Sequence, residues 1–207
     1  MEKTMKVIGL TGPSGAGKGV CDIYFQEHGI SYIDTDKVYH DLLLPPSACA
    51  MELACQFGSD IIRDDQTLDR SKLASIVFSD VTGNSLQKLN EISHRYVKEK
   101  TLSLLDTLRS QGARAAVVDA PLLFEASFDS FCDFTIAILA DRDIRLQRIM
   151  SRDSLSREKA LERICAQKDD QYYISRANYT LYNNQDQTTL YQSLLDILSK
   201  ESVSLDT

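Results

Sequence analysis

The chain has 207 residues, too many for a minimal compact domain and few for two independent ones, so one core bearing an insertion is expected. A formal net charge of −7 disfavours a general nucleic-acid-binding role, which draws on a broad basic surface, although cations can still converge on one cleft. Five scattered cysteines (Cys21, Cys49, Cys55, Cys132 and Cys165) without a C-x-x-C pair argue against a disulfide framework or a zinc knuckle and predict mostly buried small hydrophobes.

Met1–Lys6 lead into an apolar run of a few residues, too short for a signal-peptide core or a membrane span, so a cytoplasmic chain is expected. Val7-Ile8-Gly9-Leu10 reads as a short buried strand, followed by a glycine-rich turn from Gly12 to Gly17. From Lys18 the spacing of Val20, Ile23 and Tyr24 is helical, and Gly29 sits where a helix C-terminal glycine belongs. Ile30–Ile33 reads as a second strand ending at Asp34-Thr35-Asp36, which completes a βαβ unit.

The middle of the chain reads as helical. Pro45-Pro46 interrupts it, Ser47 is a candidate N-cap, and Gly58 closes the following helix. Leu73, Ile76 and Val77 mark another helical face, and Leu86 through Leu108 mark a long amphipathic helix stopped by Gly112. Ala115–Val118 and Phe134–Leu139 read as strands, the latter apolar enough to be buried on both faces. A basic helical region from Asp143 to about Gln171 precedes a short strand at Thr180–Tyr182 and a last helix carrying Leu190, Leu194, Leu195 and Leu198. Strands alternating with helices call for an α/β layered fold.

The chemistry starts at Gly12-Pro13-Ser14-Gly15-Ala16-Gly17-Lys18, which fits G-x-x-x-x-G-K between a strand and a helix. Glycines let successive N–H groups converge on an anion, the helix N-terminus adds partial positive charge, and Lys18 adds a full one. The residue after the lysine is commonly Ser or Thr, whose hydroxyl binds Mg²⁺; here Gly19 and Val20 supply none. Metal would then be held through water, the nucleotide phosphates and a carboxylate. Asp34 and Asp36 close the second strand and offer a base or metal ligand, or else caps for the helix that follows. Asp119 ends the third strand as a Walker-B-type acid, with Glu125 beyond it. Arg145, Arg148 and Arg152 share a helical face, and of these Arg148 and Arg152 are the best placed for transferring phosphate. His28, His40 and His94 are dispersed and suggest no metal site.

Together these stretches resemble the dephospho-CoA kinase family along nearly the whole chain. The resemblance rests on Thr11–Lys18, Ile33-Asp34-Thr35-Asp36, Phe57-Gly58, Asp69-Arg70 with Leu73, Leu89-Asn90, His94, Asp119-Ala120-Pro121-Leu122-Leu123-Phe124-Glu125, Arg148–Asp153, Gln167 and Asn183. It implies a P-loop NTPase fold over residues 1–207, with a parallel five-stranded sheet flanked by helices. A helical substrate-binding insertion is expected at about 59–108 and an arginine-bearing helical lid at about 142–170. It further implies ATP- and Mg²⁺-dependent phosphorylation of the ribose 3′-hydroxyl of dephospho-CoA, with no nucleic-acid or membrane partner.

By that resemblance Asp36 is the base, and Lys18, Arg148 and Arg152 serve the phosphates. Gly12, Gly15, Ala16, Gly17, Gly19, Val20 and Asn183 surround the nucleotide. Asp36, His40, His94, Leu122, Phe124 and Glu125 meet the acceptor, and Asp34 and Asp119 are the metal candidates. Arg95, in place of a proline, and Asn178, in place of an aspartate, depart from the family pattern, as do Gly19 and Val20. Another small-molecule or nucleotide kinase, or a catalytically weak sensor of ATP or a CoA precursor, stays open as an alternative.

Overall fold

The computed structural model describes residues 5–205, so Met1–Thr4 of the leading segment lie outside the described residues. Five strands form one sheet in the order β2-β3-β1-β4-β5. They are β1 (Lys6–Thr11), β2 (Ser31–Asp34), β3 (Ala115–Asp119), β4 (Phe134–Leu139) and β5 (Tyr179–Tyr182). β1 pairs in parallel with β3, Ile8 opposite Val117, and with β4, Ile8 opposite Phe134; β4 and β5 are also parallel. All six residues of β4 are buried, as its continuous apolar run requires of a strand covered on both faces.

The chain forms two compact units, one made of residues 1–33 with 107–207 and the other of residues 34–106. In the first, α1 (Lys18–Glu27) and α9 (Gln187–Lys200) share a core with the sheet through Phe25, Leu194, Ile136 and Ile138. The spacing that marks α1 as a helix does not by itself mark its inward face. Cys21, Tyr24 and Phe25 are buried, whereas Ile23 is 51% exposed. Val20 packs against the same core, so the inward face runs through Val20, Cys21, Tyr24 and Phe25, and the apolarity of Ile23 does not reveal this because Cys21 and Phe25 bury equally well. At its end Gly29, with φ of 71°, donates to Gln26 C=O at 3.1 Å, which is the left-handed stop expected there.

The region expected as one basic helical stretch is three helices, α6 (Arg142–Asp153), α7 (Arg157–Cys165) and α8 (Asp170–Ile174). Ser154 turns left-handed at φ 51°, and Ser156 Oγ then caps α7 by accepting from Lys159 N–H. Asp169 caps α8 by accepting from Tyr172 N–H at 2.9 Å. Short polar side chains that satisfy free N–H groups start new helices here, and charge periodicity alone does not report them.

The second unit holds α2 (Thr35–Leu42), α3 (Ala48–Phe57), a 3-10 turn (Ser59–Ile61), α4 (Arg70–Ser79) and most of α5 (Asn84–Ser110). Its core joins Leu43, Cys49, Leu53, Ile61, Leu73, Val77 and Ile92. Because Leu43, Cys49 and Leu53 belong to that core, α2 and α3 group with the residues expected as an insertion from about 59 onwards. Ser47 Oγ accepts from Ala50 N–H at 2.8 Å and donates to Leu42 C=O at 2.6 Å, so one hydroxyl starts α3 and closes the turn before it. Arg95 donates to Glu52 at 2.6 Å and ties α5 to α3. In this chain the position thus carries a helix-bridging ion pair.

Candidate active site

The loop from Gly12 to Gly17 joins β1 to α1, and Gly17 takes φ 97°, ψ 31° at the N-cap. The left-handed backbone favours glycine there, and a Cβ would also collide with the Asn183 side-chain amide. Lys18 Nζ donates to Gly12 C=O at 3.2 Å and stands 4.0 Å from Asp119 Oδ1. Both side chains are largely buried. Tyr32 Oη donates to Asp119 Oδ2 at 2.6 Å, which fixes the carboxylate from the other side. Nothing local in the sequence distinguishes Tyr32, since a tyrosine inside an apolar strand is ordinary, and only the sheet order brings it to Asp119.

Two arginines of α6 reach the loop in different ways. Arg148 donates to Gly15 C=O at 3.4 Å, Ala16 C=O at 3.2 Å and Asn183 C=O at 3.0 Å, so its fork is spent on main-chain carbonyls. Asn183, 5% exposed, donates from Nδ2 to Ala16 C=O at 2.9 Å. Arg152 is largely exposed, donating to Ser14 Oγ at 3.3 Å and to Asp153 at 2.8 Å. Asp153 also pairs with Arg163 of α7, and these arginines, Arg152 foremost, hold its carboxyl down at about 2. Arg145, which the sequence reading sets aside in favour of Arg148 and Arg152, is the buried arginine of this face, at 5% exposure.

Of the Leu122–Glu125 stretch, Leu122 is exposed, and Phe124 packs beside Tyr172 and Tyr173. Burial and the Glu125 carboxylate push the Tyr172 hydroxyl up to about 12. In the second unit, Asp34 Oδ1 accepts from Asp36 N–H at 2.8 Å and Lys37 N–H at 3.1 Å, so it caps α2. Asp36 stands exposed in the first turn of that helix. His40 lines a cavity of about 300 Å³ with Leu43, Leu68, Arg63 and Arg70, and His94 lies half-buried on α5.

Among the described residues no three or more His, Cys, Asp or Glu side chains converge as a metal site. Asp119, beside Lys18, fits a cation whose remaining ligands come from phosphate and water, and does not fit an all-protein cage. Gly19 has open space around the position of a Cβ. Asn178, the other departure, accepts from Thr135 N–H at 2.9 Å and Thr135 Oγ1 at 3.0 Å, two bonds that an aspartate oxygen would accept equally.

The family model for dephospho-CoA kinase matches residues 6–189. The chain belongs to the dephospho-CoA kinase family. A dephospho-CoA kinase of Lactobacillus johnsonii is 33% identical over 193 residues, covering 93% of this chain and 96% of that relative. A crystal structure of a Thermus thermophilus protein superposes with a TM-score of 0.79 at 28% identity, covering 96% of this chain and 98% of that one. The dephospho-CoA kinase from Campylobacter jejuni, at 23% identity and a TM-score of 0.60 over 95% and 97% of the two chains, shares the fold. Dephospho-CoA kinases are ATP-dependent phosphotransferases of coenzyme A biosynthesis, and the P-loop kinase fold and the Gly12–Lys18 cradle of this member are of that kind. No helix among the described residues is long and apolar enough to cross a membrane.

Proposed function

We propose that this dephospho-CoA kinase moves the γ-phosphate of ATP onto the ribose 3′-hydroxyl of dephospho-CoA, with Asp36 as the base that takes the hydroxyl proton. Membership of the family over residues 6–189, with the phosphate loop intact, is the observation that carries this reading. Phosphoryl transfer needs positioned cations more than covalent help, because the charge of the transition state spreads over the equatorial oxygens. Lys18 supplies one charge at the loop, and Arg152, exposed beside Ser14, is the arginine with donors able to turn to phosphate. Arg148 and Asn183 brace the loop and the start of α1, and so act on the nucleotide through backbone placement and shape.

Asp119 is the carboxylate that would hold Mg²⁺, directly or through water, and the ion would supply neutralising charge to the phosphates. Asp34, whose Oδ1 caps α2, has only its second oxygen for such a task. His40, His94, Leu122, Phe124 and Glu125 are assigned to the acceptor, and Gly12, Gly15, Ala16, Gly17, Gly19 and Val20 to the nucleotide. The same reading places the enzyme in the cytoplasm, which cell fractionation checks.

Gly19 and Val20 support a second reading, a protein that binds ATP but turns it over weakly. The deciding experiment is ADP release by purified protein with Mg²⁺, with and without dephospho-CoA, and the product weighed by mass spectrometry. Release that depends on dephospho-CoA, with coenzyme A formed, upholds the proposal; nucleotide binding without product favours the sensor, and turnover with another acceptor favours a related kinase.

A further inference from the structure

Arg145 is a buried guanidinium with no carboxylate in ion-pair range among the described residues; Asp170 acts on it only at longer distance. Burial lowers its affinity for the proton, and its hydrogen-bond partners are neutral. Those partners are specific. Arg145 Nε donates to Ser14 C=O at 3.0 Å, and Nη2 donates to Gln167 Oε1 at 2.7 Å. Gln167 Oε1 also accepts from Ser14 N–H at 3.2 Å. The three hydrogen bonds close a ring through Ser14, and they fix the peptide planes on both sides of that residue.

The backbone of α6 presses on the same place. A Cβ on Gly15 would lie 2.8 Å from Arg145 C=O and 3.0 Å from its Cα, so loop and helix touch main chain to main chain. Gln167 itself sits in the joint between α7 and α8. A loop of Gly-Pro-Ser-Gly-Ala-Gly is free in many conformations unless something outside it decides among them, and glycine loses the most freedom on ordering. A planar fork that addresses two acceptors at fixed angles does this; a lysine ammonium cannot.

We propose that Arg145 and Gln167 are positioning residues that clamp the phosphate loop at Ser14 in its nucleotide-receiving form, linking that form to the α7–α8 joint. The proposal rests on the reading of Gly12–Lys18 as the ATP cradle. A loop ordered before ATP arrives spares that ordering cost on binding, so the clamp acts on ATP affinity and not on the acceptor.

The test compares wild type with Gln167→Leu, Gln167→Glu and Arg145→Lys, using calorimetric binding of a non-hydrolysable ATP analogue together with KM for ATP, KM for dephospho-CoA and the thermal midpoint. Gln167→Leu and Arg145→Lys are expected to weaken analogue binding about tenfold or more, as loss of a charge-assisted bond implies. KM for ATP should rise in parallel while KM for dephospho-CoA stays put. Gln167→Glu keeps the acceptor for both donors and should bind the analogue close to wild type. Analogue binding by Gln167→Leu equal to wild type would overturn the inference, as would Gln167→Glu behaving like Gln167→Leu. The half-buried Gln167 keeps the test available if the Arg145 variant does not fold. Wild type that bound no analogue would overturn both the cradle reading and the inference, whereas wild-type binding with an unaffected Gln167→Leu would overturn the inference alone.

Discussion

Asp36 opens α2 beside a capping Asp34, and the two acids of one Asp-x-Asp stretch thereby part in role. Asp34 is held by two backbone N–H groups at 2.8 and 3.1 Å, an arrangement that serves the helix. Asp36→Asn is expected to lower kcat by about 10²–10⁴-fold while leaving ATP binding near wild type, as loss of a general base does. Stopped-flow turnover and analogue titration separate the two effects, and undiminished kcat would remove Asp36 from the chemistry. Gly19 offers a complementary gain. Its Cβ position is open and it lies in the first turn of α1, so Gly19→Ser adds a hydroxyl without a clash. Half-saturating Mg²⁺ should fall in that variant, and its thermal midpoint should not, since serine costs less than glycine in a helix by up to ~0.5 kcal/mol. An unchanged Mg²⁺ requirement would mean that the metal is held wholly by other groups.

The cysteines separate by element. Cys21 on α1 and Cys49 on α3 are buried, Cys132 is half-buried, and Cys55 and Cys165 are exposed, so the expectation of mostly buried thiols holds for only part of the set. Burial lifts Cys21 to about 12, with Asp119 adding to the effect, and lifts Cys132 to about 12. A folded thiol held protonated while the unfolded thiol ionises near 9 stabilises the fold below that pH, and the contribution is lost as pH rises towards 12. Titration with a thiol reagent at pH 8 should show Cys55 and Cys165 reacting first and Cys21 reacting only on unfolding; fast labelling of Cys21 would contradict its burial.

Between α6 and α7 the link is Asp153 with Arg152 and Arg163. With its folded value depressed to about 2, the carboxylate's contribution is present above its ordinary range near 4 and disappears as pH falls through about 2. Hydrogen exchange in the Asp153–Ser156 turn should therefore be faster in Asp153→Asn than in wild type at pH 6, with the difference vanishing at low pH. Equal exchange at pH 6 would show that the link does not order the turn.

For the molecule as a whole, each compact unit carries its own apolar cluster, one around Ile8, Phe25, Ile136 and Leu194 and the other around Leu53, Ile61, Leu73 and Ile92. Leu53 is fully buried, and Leu53→Ala is expected to cost about 2–5 kcal/mol in denaturant unfolding, the range for a leucine cavity. A loss below ~1 kcal/mol would show that the second unit relaxes around the gap.

The sequence by itself determined the α/β class, the strands at Val7, Ala115 and Phe134, the phosphate loop with Lys18 and the family. Those features are local, since a continuous apolar run, a glycine-spaced cradle and a contiguous motif are each written within a few residues. Tertiary structure alone decided which face of α1 turns inward, where the basic region breaks into α6, α7 and α8, and that residues 34–58 group with the helices after them. It also decided that Tyr32 holds Asp119 across 87 positions and that Arg145 meets Ser14 across 131. Pairings over such separations depend on strand order and on which helix lies over the loop, and neither is encoded in the spacing of the residues that meet.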